Sequence, residues 1–135
     1  MRNRNYYTPA MTGFNAKAST GAGNIINVMD FRNAMISVGT ASSANMTIKV
    51  QVGLGDTAPD FGSAASATNR WSYADLALTN NGGTITDGDT GLVWSGTDAV
   101  QIAEVNTNGI DWLCLNMTAR AAGTATAEMT LTTND

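Results

Sequence analysis

The side chains that carry most enzymatic and metal chemistry are scarce in this sequence, so each can be weighed singly. There is no histidine and only one cysteine, Cys114. Imidazole acid–base chemistry, the Ser-His-Asp triad and His-ligated metal sites are excluded. So are an intrachain disulfide and a Cys-clustered zinc or iron–sulfur site. Cys114 has no base beside it to activate its thiol and reads as a small buried residue. Asp87-Gly88-Asp89-Thr90-Gly91 is the most ligand-like run, because paired carboxylates in a glycine loop are how an oxygen-rich calcium site begins. An EF-hand needs further oxygen ligands and a glutamate at its twelfth position, yet Leu92, Val93 and Trp94 follow at once. Asp87 and Asp89 are therefore weak metal candidates, and a hairpin turn is the expected structure.

A glycosidase would require two facing carboxyl groups. The two glutamates, Glu104 and Glu128, each sit inside an alternating segment. They are expected on an outward face, or opposite Arg120 or Lys49. No catalytic pair stands out, no cofactor is called for, and the protein is expected not to be an enzyme. Two other groups suit binding. Trp71, Tyr73, Trp94 and Trp112 have the flat faces on which pyranose rings stack, and serve equally well as core or interface anchors. Arg2, Arg4, Tyr6, Tyr7, Met11 and Phe14 lie in a polar N-terminal stretch and suit contact with a partner protein.

The elements that position these residues are read from hydrophobic alternation. Met46, Ile48, Val50, Val52 and Leu54 alternate with Thr47, Lys49, Gln51 and Gly53, which is a strand with one buried face. Leu113, Leu115 and Met117 share one face of a second strand over 110–119, and Ala125, Ala127, Met129 and Leu131 one face of a third over 124–133. Further strands are expected over 24–28, 31–39, 70–78 and 98–105. Asn106-Thr107-Asn108-Gly109 reads as a hairpin turn, and Ala121-Ala122-Gly123 as a connection between separate strands. Pro59 and its neighbouring glycines make 55–68 a long loop. Residues 1–23 show no period and read as an extended arm that orders on a partner. The reading is an all-β chain: an arm over 1–23, then a single antiparallel β-sandwich or jelly-roll-like domain over 24–135.

Composition narrows the partners. Charged residues make up 13% and the net charge is −4, the wrong sign for nucleic-acid binding. No apolar stretch is long enough for a membrane span, and none follows Arg2 and Arg4 as a secretion signal requires. Neither nucleic acid nor a membrane is an expected partner.

Several stretches together carry a family likeness. They are Tyr6-Tyr7-Thr8-Pro9, Phe31-Arg32-Asn33-Ala34, Ala58-Pro59-Asp60-Phe61, Asp111-Trp112-Leu113, Gly123-Thr124 and the terminal Thr133-Asn134-Asp135. In these, and in its low charge and wealth of Ala, Gly, Thr and Asn, the chain resembles small virion structural proteins of tailed bacteriophages. The resemblance implies a capsid decoration (cement) protein at the virion surface. Its implied partners are the major capsid protein and copies of itself, with a trimer favoured. The alternative is a carbohydrate-binding or adhesin-type module of a tail or fibre, using Trp71, Tyr73 and Trp94.

Overall fold

The computed structural model describes residues 6–8, 10–79 and 82–133, with Tyr6 and Tyr7 described by backbone alone. Ten strands make one antiparallel sheet, and no α-helix occurs among these residues. In chain order the strands are β1 (Tyr6–Tyr7), β2 (Met11–Lys17), β3 (Gly21–Asn27), β4 (Asn33–Gly53), β5 (Trp71–Tyr73), β6 (Leu76–Leu78), β7 (Ile85–Thr86), β8 (Leu92–Ser95), β9 (Val100–Asn106) and β10 (Trp112–Thr133).

Two of these strands dominate. β4 and β10 pair along their whole lengths, from Trp112 opposite Gly53 to Thr132 opposite Asn33. Each spans 21 or 22 residues and merges two segments that alternation alone separates. The expected connection at 121–123 is thus a stretch of continuous strand. Its register slips between Met117 and Ala119, Arg120 and Ala122, and Ala122 and Thr124. Extra residues of this kind bend a strand without ending it.

The bend is sharp enough to fold the sheet back on itself. A Cβ placed on Gly13 would lie 2.8 Å from Leu115 and 3.3 Å from Met129. Fourteen residues of straight strand would separate those two by roughly 45 Å. Both halves therefore face one core, in which Ile36, Val38, Met129 and Leu131 from one half join Ile48, Val50, Leu115 and Met117 from the other. Met46, Ile48, Val50, Val52, Leu113, Leu115, Met117, Met129 and Leu131 are all buried, whereas Leu54, the last apolar residue of the first alternation, lies beyond the end of β4 and is 53% exposed.

At the bend the backbone takes positive φ at Ser42 (65°), Ser43 (54°) and Gly123 (87°). A side chain on Gly123 would meet the backbone of Ala44 at 2.6 Å, so only glycine lets the two strands cross here. The paired serines aim successive amides outward, and the Asp98 carboxylate accepts from both Ser43 N (3.0 Å) and Ala44 N (2.9 Å). Those two backbone amides hold the Asp98 carboxyl below its ordinary value of 3.8.

The shorter strands flank this bent pair. Beside β4, β9 joins its first half, while β8 and β5 join its second. Beside β10, β2 joins the C-terminal half and β3 the N-terminal half. Two expectations change as a result. The 70–78 segment splits at Ala74–Asp75, because β5 pairs with one half of β4 while β6 pairs with β9 beside the other. The 106–109 turn does close on itself, with Ile110 N donating to Thr107 O at 2.9 Å, but it joins no hairpin. It carries the chain from β9, beside Asn33, across to Trp112, opposite Gly53.

The N-terminal arm is also corrected beyond residue 10. Residues 11–17 and 21–27 are strands on β10, and Phe14 is buried in the core. Met11 is half-buried against that core. Two register shifts between β2 and β10 and a positive φ at Ala16 erase the alternation that would have revealed this strand.

Leu115→Ala is expected to lower the unfolding free energy by about 2–5 kcal/mol, since its neighbours come from both sheet halves and cannot all close in. Chemical denaturation with an unchanged m-value measures it. A carboxylate with a depressed folded-state pKa contributes stability that is present above its unfolded pKa and disappears as pH falls through the folded value. Asp98→Asn should therefore lower Tm at pH 7, and the gap from wild type should narrow below about pH 3.8. Thermal melts across pH 2.5–7 give the comparison.

Candidate interaction surface

Each half of the folded sheet has an outward face, and the two faces differ. The outward face of the second half holds Trp71, Gly53 and Trp112 in one cross-strand row, and Tyr73, Gln51 and Cys114 in the next. Residues 54–70 fold over this face. The loop lies so close that a Cβ on Gly53 would stand 2.5 Å from the Pro59 ring. Three side chains of the sheet tie it down by its carbonyls. Trp112 Nε1 donates to Gly55 O (2.8 Å), Gln51 Nε2 to Phe61 O (2.9 Å) and Trp71 Nε1 to Ser63 O (2.9 Å).

Within the loop, Asn69 replaces a strand partner. Its Nδ2 donates to Asp60 O at 2.9 Å and to Ala64 O at 3.1 Å, while its Oδ1 accepts from Asp60 N at 2.8 Å. Phe61 is buried beneath the loop, apart from the main core. The loop thus explains why Gln51 is buried although it points away from the core, while the Cys114 thiol lies against Gly23 of β3.

The aromatic residues considered for sugar stacking are thus divided among other tasks. Trp94 is buried and donates to Ala99 O at 3.1 Å. Trp71 and Tyr73 pack edge to face with ring centres 5.1 Å apart, and Lys49 Nζ sits 4.8 Å above the Tyr73 ring. They do not form one flat platform, although Trp71 stays partly exposed beside the loop.

The carboxylates are dispersed. Asp87 Oδ1 accepts from Asp89 N (2.8 Å), and Asp87 O accepts from Thr90 N (3.0 Å), which makes 87–91 the expected turn. No group of three or more metal-ligating side chains gathers among the described residues. Glu104 stands opposite Met35 and Glu128 opposite Ser37, both outward on the first half. Neither expected cation faces them: Lys49 lies over Tyr73, and Arg120 Nε donates to Gly123 O at 2.8 Å. Burial pushes the Cys114 thiol up to about 11, against the smaller downward pull of the Gly23 backbone and the Lys17 charge.

Among the described residues no loop covers the outward face of the first half, and this is what alternation did not single out. One row runs Ile85, Ala77, Glu104, Met35, Thr130, and the next runs Ile102, Ser37, Glu128, Thr12. Val100 follows opposite Gly39. Ile85 and Val100 are each 62% exposed and Ile102 is 38% exposed, an apolar diagonal across the sheet. Such a strip, rimmed by Ser and Thr, marks an association surface more often than a bare sheet face. Its signal was present as Val100 and Ile102 two residues apart, but which face they share is decided by pairing. Of the N-terminal candidates, Arg2 and Arg4 lie outside the described residues. The backbones of Tyr6 and Tyr7 pair with Thr133 and Thr132.

No protein-family model matches the chain, and no curated protein matches it by sequence. Its fold is similar to that in the crystal structure of the SPBc2 prophage-derived protein YomS. The TM-score is 0.71 over 98% of both chains, at 10% sequence identity.

Cys114 is expected to resist thiol reagents at pH 8 in the native protein, because the group is buried and protonated there. Labelling should appear only on unfolding, with the same denaturant midpoint as the loss of β-structure.

Proposed function

We propose that the protein is a non-enzymatic virion structural protein, a capsid decoration protein that docks on the capsid lattice and self-associates at the virion surface. The observation that carries this reading is the apolar diagonal of Val100, Ile102 and Ile85, which no described segment covers. A domain of this size gains stability by covering such side chains, and this chain leaves them outside while a 17-residue loop covers the opposite face. The fold shared with a prophage-derived protein supports a phage origin. The folded-over sheet, both halves closing on one core, is read as a β-sandwich of the jelly-roll kind.

Docking through a sheet face suits the composition. Glu104 and Glu128 are the charged residues on these two rows, so little charge has to be desolvated when a neighbour covers them. The partners in this reading are the major capsid protein and further copies of this chain, with a trimer as the closed assembly. The N-terminal docking role is narrowed to residues 1–10, since Phe14 serves the core.

The experiment is occupancy on purified capsids. A Val100→Asp/Ile102→Asp double variant is expected to keep the wild-type Tm, because both side chains are already exposed. Its occupancy should fall at least about tenfold, equivalent to about 1.4 kcal/mol of lost docking energy. Full occupancy by a folded double variant would remove this face from the mechanism, and sedimentation of the free protein reports the self-association.

A further inference from the structure

We infer that a groove running from the hollow of the 54–70 loop to β5 binds a short neutral oligosaccharide. The groove consists of two adjoining depressions of about 610 and 350 Å³, which share Leu54, Ser66 and Arg70. Their chemistry differs along its length. The larger depression mixes Thr57, Asp60 and Thr68 with the apolar Ala58 and Pro59, while the smaller is chiefly apolar, with Trp71 and Ile110 in its wall. A ligand filling both must present dense hydroxyls at one end and an apolar face at the other. Its charge should be near zero, because one carboxylate and one guanidinium balance across the groove. A chain of pyranose rings has these properties: the C–H face of one ring packs on an indole while the next offers hydroxyls that both donate and accept.

The groove is also held in shape before any ligand arrives. The two indole bonds and the Gln51 bond pin the loop at Gly55, Phe61 and Ser63. Arg70 Nε donates to Ala67 O at 2.9 Å, which fixes the plane of the guanidinium and leaves its Nη donors for a pair of vicinal hydroxyls. Asp60 accepts from Gly62 N and from Ser63 Oγ, so its carboxylate is oriented as well. Binding to a preformed groove loses little conformational entropy, which is what weak polar ligands need. The expected aromatic platform of Trp71, Tyr73 and Trp94 is not this site. Trp71 enters it alone, as one wall.

This inference is separate from capsid docking, which uses the opposite face. Full-length protein is first screened on an array of neutral oligosaccharides, and each hit is followed by saturation-transfer NMR. Arg70→Ala should keep the wild-type Tm and weaken the hit at least about tenfold, the loss typical of hydrogen bonds to a charged group. Leu54→Glu, at an exposed rim position, should do the same by placing charge against the apolar end. The Val100→Asp/Ile102→Asp variant should bind the sugar normally, and Arg70→Ala should occupy capsids normally. An array with no hit overturns the inference. So does a hit that survives both Arg70→Ala and Leu54→Glu.

Discussion

The architecture depends on one constraint, the folding of a very long two-stranded ribbon at its middle. β4 and β10 keep one apolar face through more than twenty residues each. A straight ribbon of that length would leave most of the face in water. Bending at 41–44 and 119–123 brings the two ends of the same face together, and the strip becomes its own partner. The bend is where alternation stops: Ala41, Ser42 and Ser43 on one strand and Ala119, Arg120 and Ala121 on the other are all exposed. Gly123 permits the crossing, and Asp98 collects the amides that the serine pair turns outward. A carboxylate on two backbone amides is a strong fastening, because the acceptor is charged and the donors have no strand partner.

Folding the ribbon creates two outward faces, and the chain treats them unequally. One is covered by a loop that Trp71, Trp112 and Gln51 fasten to the sheet and that Asn69 ties within itself. Those bonds satisfy loop carbonyls that no strand reaches, which is why an irregular segment of this length can be well defined. Among the described residues nothing covers the other face from Ile85 to Val100. We place the proposed sugar groove on the covered face and the proposed docking area on the bare one, a division that this geometry allows.

The likeness to a prophage-derived protein at 10% identity shows the fold alone. Apolar residues of about the right volume can exchange at the inward positions, and the outward positions are freer still. What has to persist is the alternation, a residue tolerant of positive φ at the crossing and enough chain on both sides to cover the strip.

Much of the core was legible from the sequence because the pleat is local. Side chains two apart share a face whatever the strand pairs with, so Met46 to Val52, Leu113 to Met117 and Met129 to Leu131 were assigned to the interior correctly. The turn at 87–91 was legible for the same reason, since an Asp-Gly loop bonds to its own backbone. Continuity through the bend was not legible, because a bulge interrupts alternation just as a loop does. β2 was hidden in the same way by its shifts at Ala125 and Ala127 and by Ala16. The fate of the tryptophans was beyond reach as well: whether an indole stacks on a sugar or ties down a loop depends on which carbonyl the fold brings to its N–H. By itself the sequence determined an all-β chain, its inward residues and the absence of histidine chemistry, all properties of neighbouring residues. Only the tertiary structure decided which outward face is covered and which is bare, because that depends on contacts between segments far apart in the chain.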